Sequence, residues 1–521
     1  MKAPLRKIWG PTALLTLVLG PGAALATAVH VESGAIQGVD ANGLSIYRGV
    51  PYATPPVGEL RWRGPQPAKP WKGVRKVTAF APACMQTGVS MPGETPPTIS
   101  EDCLYLNIWT PARRARERLP VIVWIHGGGY STGSASMPLY WGDKLAHRGV
   151  IVVTIAYRLG PLGWLAHPEL TRESVHQSSG NYGLMDQLAA LQWIQRNIEA
   201  FGGDPTRVTI AGQSAGAMAV SELMASPRAR GLFQRAIAES GGLFEPIKLA
   251  PDYLLANAEV VGEKYLTSLG VSSIAELRKL PASQLLGGNA GSVTHPVIEP
   301  YVLPAAPYEV FASGRQNDVP VLIGSNTEEA RAMVDVSKVK AATFAAYLTA
   351  ALGPLPPALV AAYPHASDAE ACQARLDLER DLRFAWDMWT WARLQARTGT
   401  VYYYSFQQRP PFPKDSVYAD WGASHYAELW YVFDHLDQYS WPWTSADRNV
   451  AAEVSAYWVN FATSGNPNGA GVPPWPAFEN THSNVQYLVD PITTSGVLGI
   501  DKLKVIDAVY SEVRGKPFGS P

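Results

Sequence analysis

Cysteine is scarce, with three in 521 residues. That excludes a small disulfide-knit scaffold, and no His/Cys/Asp cluster has the spacing of a metal-ligand set. An excess of one charge sign is also missing. Lys+Arg 43 against Asp+Glu 44 gives a formal net charge of -1, so no basic field is available to hold nucleic acid or acidic lipid. Beyond the amino terminus no run approaches the roughly 18 apolar residues that a membrane span needs. Internal repeats and low-complexity linkers are lacking too. What is present is 47% apolar and 17% charged residues, with Gly 46 and Pro 43: a globular chain with ample core and many fixed turns.

The amino terminus has the pattern of a targeting segment. Lys2, Arg6 and Lys7 precede the apolar stretch Thr12–Leu19, and Ala26-Thr27-Ala28 fits an A-x-A cleavage site. A signal peptide over residues 1–28 is expected, cleaved near Ala28 or, nearly as well, after Ala26. The protein is then secreted or periplasmic; a retained anchor is the alternative. Cys84 and Cys103 enclose a loop rich in Pro, Gly and Ser, which a disulfide would tie down in that compartment. Cys372 is left over as a buried free thiol.

The chain is organised around Arg207–Gly216. Val208, Thr209 and Ile210 read as a buried strand, Gly212-Gln213-Ser214-Ala215-Gly216 follows at once, and Met218–Met224 has helical spacing. Strand, Gly-x-Ser-x-Gly and helix together predict a nucleophile elbow, a strained turn that lifts a serine hydroxyl out of a sheet.

Other segments fit around it. Val29 to about Lys76 alternates short apolar runs with turns, as an antiparallel β preamble would. Pro120–His126 and Gly149–Tyr157 are unbroken apolar runs, the signature of parallel strands covered on both faces. Gly127-Gly128-Gly129 follows the first of them; glycines there let a substrate approach backbone N–H donors. Asn181–Ile198 has the spacing of an amphipathic helix, and Phe201–Pro205 breaks it before the nucleophile strand. Arg235–Gly242, Val319–Ala330 and Val401–Phe406 carry further strands, and Val454–Phe461 a late helix. Helical excursions are expected around 251–300 and 335–397; the aromatics of Phe384–Leu394 read as core. Alternating strand and helix signals to the end predict one α/β domain over 29–521.

A serine hydroxyl needs a histidine to take its proton and a carboxylate to hold that histidine, in the order nucleophile, acid, base. Glu328 and Glu329 compete as acids after the 319–325 strand. The later histidines are His365, His425, His435 and His482.

Tyr47–Trp62, Ser100–Pro111 and Gly212–Gly216 resemble the type-B carboxylesterase and cholinesterase family of α/β-hydrolases, and the likeness runs from about Val31 to Trp475. The resemblance implies the α/β-hydrolase fold, a central, mostly parallel twisted sheet with helices on both faces. It implies Gly128, Gly129 and Ala215 as oxyanion donors. Aligning Gly324 and Asn326 gives the acid role to Glu329, with Ala330 where glycine is usual. Gly422–Phe433 matches the motif around the family's catalytic histidine at His425, with Glu428 as a loop anchor. Ser240 is implied beside the charge-relay network, with a plain turn serine as the alternative reading, Arg61 and Glu101 as a buried ion pair, Asn181 and Asp186 as scaffold. Gln213 stands where many relatives have glutamate, which argues against a strongly cationic substrate.

The expected function is that of a secreted serine carboxylesterase acting on small-molecule esters through an acyl-enzyme, with neither metal nor cofactor. An amidase or peptidase with the same triad, and a non-catalytic interaction protein, are the alternatives. Tyr130, Trp164 and the aromatics of 430–443 are candidates for the substrate pocket. Oligomeric state is not legible.

Overall fold

The computed structural model describes residues 24–89, 91 and 94–520. Most of the expected signal segment, residues 1–23, lies outside the described residues. Ala24–Leu25 pairs antiparallel with the strand Val39–Ala41, and Ala26 is buried with its N–H donating to the Gly38 carbonyl at 3.1 Å.

A mixed sheet of twelve strands among the described residues forms the frame. Its parallel centre runs, in spatial order, Ile151–Ile155, Leu119–Ile125, Gly203–Gln213, Arg235–Glu239, Val321–Asn326, Val401–Phe406 and Val485–Leu488. Tyr105–Thr110 and Leu44–Pro51 join one edge antiparallel, as the alternating preamble predicts. One preamble pairing differs: Gly34–Gln37 and Val74–Lys76 run parallel in a separate three-stranded sheet.

Residues of Leu119–Ile125 divide by parity, because successive side chains leave opposite faces of a strand. Val121, Val123 and Ile125 pack into one core with Leu184, Leu191 and Ile194 of the helix Tyr182–Asn197 and with Val220 and Leu223 of Ala215–Ala225. Ile122 and Trp124 pack into a second core with Val450, Val454 and Phe461 of Ser445–Ser464. Helices thus cover both faces, and that is why these strands read as unbroken apolar runs.

The strand that leads to Ser214 is longer than its β-branched centre suggests. It starts at Gly203, straight after Gly202 turns the chain in the left-handed region (φ 85), and its register against the neighbouring strand shifts between Leu119 and Val121. The expected break at Phe201–Pro205 is therefore only a short turn.

The segment 251–300 carries the helix Leu255–Ser268 and shorter turns. Asn181 ties it to the body, donating to the Val297 carbonyl at 2.6 Å and to Glu299 at 2.9 Å. Asp186 meets Arg158 in a fully buried bidentate pair at 2.7 and 2.8 Å. Both residues are scaffold. Arg61 and Glu101 form the ion pair that the resemblance implied, at 2.6 Å on both arms. Cys84 and Cys103 are disulfide-bonded; Cys372 is free and half-buried rather than buried. No helix among the described residues is long and apolar enough to cross a membrane.

Candidate active site

Ser214 occupies the turn between the strand Gly203–Gln213 and the helix Ala215–Ala225, with φ 58 and ψ -126. That backbone is strained for any residue with a Cβ and persists only where its surroundings over-determine it. Here they do. The Ser214 N–H donates to the Glu239 carbonyl at 2.8 Å, and Met218 N–H donates to the Ser214 carbonyl at 2.9 Å. A Cβ on Gly216 would fall on the Ile125 carbonyl, so only glycine lets the helix close against the neighbouring strand.

Gly127 runs alongside the serine: a Cβ there would lie 3.0 Å from Ser214 Cβ. Gly128 and Gly129 adopt φ 108 and 59, and the Gly128 carbonyl accepts from the N–H groups of Ser131 and Thr132 at 3.1 and 3.0 Å. That turn leaves the Gly128 and Gly129 N–H groups with no protein acceptor among the described residues. Ala215 opens its helix, where the first N–H groups lack intrahelical partners. The three expected donors thus lie on the two segments that meet at the serine.

The two acids separate cleanly. Glu329, fully buried, accepts from the Asn326 N–H at 2.7 Å with Oε1 and faces His425 Nδ1 at 2.7 Å with Oε2. Glu328 turns the other way, taking a bidentate pair from Arg409 at 2.7 and 2.7 Å, a contact from Arg331 at 2.7 Å and the Ala423 N–H at 3.0 Å. Ala330 needs no left-handed backbone, so the missing glycine costs nothing here. Asn326 also donates to the Ser424 carbonyl at 2.7 Å and to the Glu428 carboxyl. Glu428 therefore anchors the histidine loop, and burial pushes its carboxyl well up.

Three further side chains pack on the imidazole, Tyr426 among them at 4.6 Å. Phe384 stacks on it at 4.7 Å from the π-helical segment Asp381–Ala385, a distortion frequent at functional sites. Gln213 places its amide nitrogen 3.4 and 3.3 Å from Nδ1 and Nε2. Ser240 sits at φ 54 with its N–H on the Gly324 carbonyl at 2.8 Å. Its buried hydroxyl finds no protein partner among the described residues. Neighbouring Glu239 accepts from Trp458 Nε1 at 2.7 Å, and burial raises its carboxyl to about 8.

Tyr130 and Trp164 pack on each other at 4.3 Å, both buried. The Tyr130 hydroxyl donates to Glu222 at 2.8 Å, and burial raises that acid to about 8. Trp430, Tyr439, Trp441 and Trp443 form one aromatic cluster with Phe412 and Tyr418. Tyr439 also walls a cavity of about 390 Å³ between the disulfide loop and Gly133–Leu139. Phe384, Glu222 and Tyr426 were not singled out from sequence as site residues. Phe384 has only core-like spacing, Glu222 belongs to no motif, and Tyr426 lies within the Gly422–Phe433 motif at a position that the motif leaves open. Among the described residues no group of three or more His, Cys, Asp or Glu could hold a metal ion.

A parallel sheet carrying a strained serine at a strand–helix turn, with an acid–imidazole pair beyond later strand ends, defines an α/β-hydrolase. The sequence model of the Carboxylesterase family matches residues 25–496, and the chain belongs to that family. It is a carboxylesterase, hydrolysing carboxylic esters. It is 38% identical over 464 residues to the fumonisin B1 esterase of Sphingopyxis macrogoltabida, covering 86% of this chain and 84% of that one. It is 36% identical over 485 residues to the para-nitrobenzyl esterase of Bacillus subtilis, covering 89% and 95%. A solved PNB esterase structure matches with TM-score 0.78 at 33% identity, over 92% of this chain and 99% of that one.

Proposed function

We propose that Ser214, Glu329 and His425 are the triad that carries out the ester hydrolysis. His425 takes the hydroxyl proton as Ser214 Oγ attacks the ester carbonyl. The tetrahedral oxyanion is held by the N–H groups of Gly128, Gly129 and Ala215. His425 hands the proton to the departing alcohol. Water then attacks the acyl-enzyme, the same imidazole acting as base and then as acid. Glu329 holds the ring through Nδ1 and stabilises its charged form. The observation that carries this reading is the 2.7 Å contact between Glu329 and His425 Nδ1 on the same rim of the sheet as the strained Ser214.

The names of the relatives give fumonisin B1 and para-nitrobenzyl esters, which join short and long acyl, aryl and bulky polyacid esters in the substrate panel. Ser214→Ala should lower turnover on every active member by about 10³-fold or more, with binding little changed. Wild-type turnover in that variant would refute the nucleophile. A p-nitrophenyl ester cleaved far faster than the anilide of the same acid is the expected order; the reverse would make the protein an amidase.

The protein is secreted or periplasmic in this reading, supported by the basic, apolar and small-residue order of its first 28 residues and by the Cys84–Cys103 bridge. Amino-terminal sequencing of protein recovered outside the cytoplasm should begin near residue 27 or 29; an intact Met1 would refute it.

A further inference from the structure

Tyr130 closes the glycine turn, directly after Gly129, and stands at φ 58. A bulky residue in the left-handed region is strained and stays only where its surroundings hold it. Three holds are present. The Tyr130 carbonyl accepts from the Gly160 N–H at 2.8 Å, where the helix Gly160–Trp164 begins. The ring packs on Trp164 of that same helix at 4.3 Å. The hydroxyl donates to Glu222 Oε1 at 2.8 Å, and Glu222 belongs to Ala215–Ala225, the helix that starts behind Ser214.

Glu222 is fully buried, as are Val220, Leu223 and Met224 beside it in sequence. Its second oxygen, Oε2, has no protein partner among the described residues. A buried carboxyl is costly even when one oxygen is hydrogen-bonded, and an apolar side chain in its place would cost less. Burial raises this one to about 8, so it is uncharged at neutral pH. What the acid supplies is direction: a tie between the helix of the serine and the end of the glycine turn.

We propose that Glu222 and Tyr130 are a positioning pair for the oxyanion turn, setting where the Gly128 and Gly129 N–H groups stand relative to Ser214. The inference rests on the reading of those glycines as oxyanion donors and of Ser214 as nucleophile. Preorganised donors stabilise a tetrahedral oxyanion only from the place where its charge develops. One end of the turn is fixed by the strand Leu119–Ile125, which pairs on both sides within the sheet. Tyr130 fixes the other end. With its hydroxyl anchored on the helix that Ser214 opens, donors and nucleophile are held as one body. Both residues act through the turn.

The test is a double-mutant cycle at neutral pH with p-nitrophenyl acetate, sites being counted by the end point of fluorophosphonate labelling. Tyr130→Phe keeps the ring on Trp164 and removes the hydroxyl; Glu222→Leu removes the acceptor. Each should lower kcat and kcat/KM per site about tenfold with KM little changed, because both half-reactions pass through an oxyanion held by the same donors. The double variant should be no worse than either single one. Glu222→Gln, uncharged and still an acceptor, should recover most of the loss. A trifluoromethyl ketone, to whose carbonyl Ser214 Oγ adds reversibly to leave an oxyanion in the turn, should lose affinity in step with kcat/KM. A purely structural role would reduce the number of labelled sites and leave the constants per site alone. Unchanged constants per site, losses that add in the double variant, or Glu222→Gln as poor as Glu222→Leu would overturn the pair alone. Absence of label on wild-type Ser214 would overturn the nucleophile, and a ketone that fails to inhibit the wild type would overturn the oxyanion site, each taking the pair with it.

Discussion

The Gln213 amide nitrogen lies 3.4 Å from Nδ1 and 3.3 Å from Nε2 of His425, so it packs against the ring rather than serving one nitrogen. The residue before the proposed nucleophile therefore bears directly on the proposed base. A carboxylate at this place would stabilise the imidazolium, and the base must be neutral to take the serine proton. Gln213→Glu should move the acid limb of the kcat/KM profile to higher pH by about one unit. It should also improve cationic esters relative to neutral ones. A profile that stays in place would show that the amide does not influence the base.

The two proposed oxyanion glycines should answer differently to alanine. A Cβ on Gly128, at φ 108, would fall on the Thr132 carbonyl and lie 2.8 Å from its hydroxyl oxygen. At Gly129, φ 59, the nearest heavy atom is the Ser131 hydroxyl oxygen at 3.8 Å. Gly128→Ala should lose folded yield and activity together. Gly129→Ala should fold, with stability lowered by about 1–2 kcal/mol for the left-handed backbone. Thermal melts beside turnover separate the two, and equal melting temperatures would contradict the clash.

Stability should depend on pH through buried carboxyls. Burial raises Glu222 and Glu239 each from 4.5 to about 8. An acid raised in the fold contributes fully below its unfolded value and loses that contribution as pH climbs through its folded value. Denaturant midpoints should therefore decline between about pH 4.5 and 8 and level off above. His126 works from the other side. Burial lowers it from 6.5 to about 4, so its contribution is present above 6.5 and lost as pH falls towards 4. Glu222→Gln should flatten the alkaline decline while sparing the acid one. An unchanged slope would mean that Glu222 does not titrate in this range.

The Cys84–Cys103 bridge closes a short loop of sequence separation 19. Chain-entropy arguments assign it about 3 kcal/mol. Cys84→Ser with Cys103→Ser should lower the melting temperature by several degrees, with reductant reproducing the shift in the wild type. Cys372→Ser should leave the melt within a degree or so, because its thiol makes only weak contacts, at 3.6 and 3.9 Å, with the Val336 and Val339 carbonyls. A larger loss at Cys372 than at the bridge would reverse this ranking.

Much of the architecture was legible along the chain. Unbroken apolar runs at Pro120–His126 and Gly149–Tyr157 announced strands covered on both faces, and period-three-and-four spacing announced the helix after Asn181. Both patterns arise from burial, which selects residues locally. The order nucleophile, acid, base was equally local, since each member sits in its own short motif.

Other features depend on residues far apart in sequence. Glu328 and Glu329 are chemically the same; Arg409 and Ala423 draw one away while Asn326 and His425 receive the other, a division that the motif resemblance pointed to but that residue type alone does not encode. Phe384 and Tyr426 reached the site through a π-helical distortion and a left-handed residue, neither of which follows from the propensity of a short window. By itself the sequence determined the layered α/β frame and pointed to Ser214, Glu329 and His425 as the proposed triad, because hydrophobic period and turn chemistry act over a few residues. Only the tertiary structure decided which groups hold each of the two acids and what packs on the imidazole. Those choices are made by directional contacts between segments that the chain brings together only once it has folded.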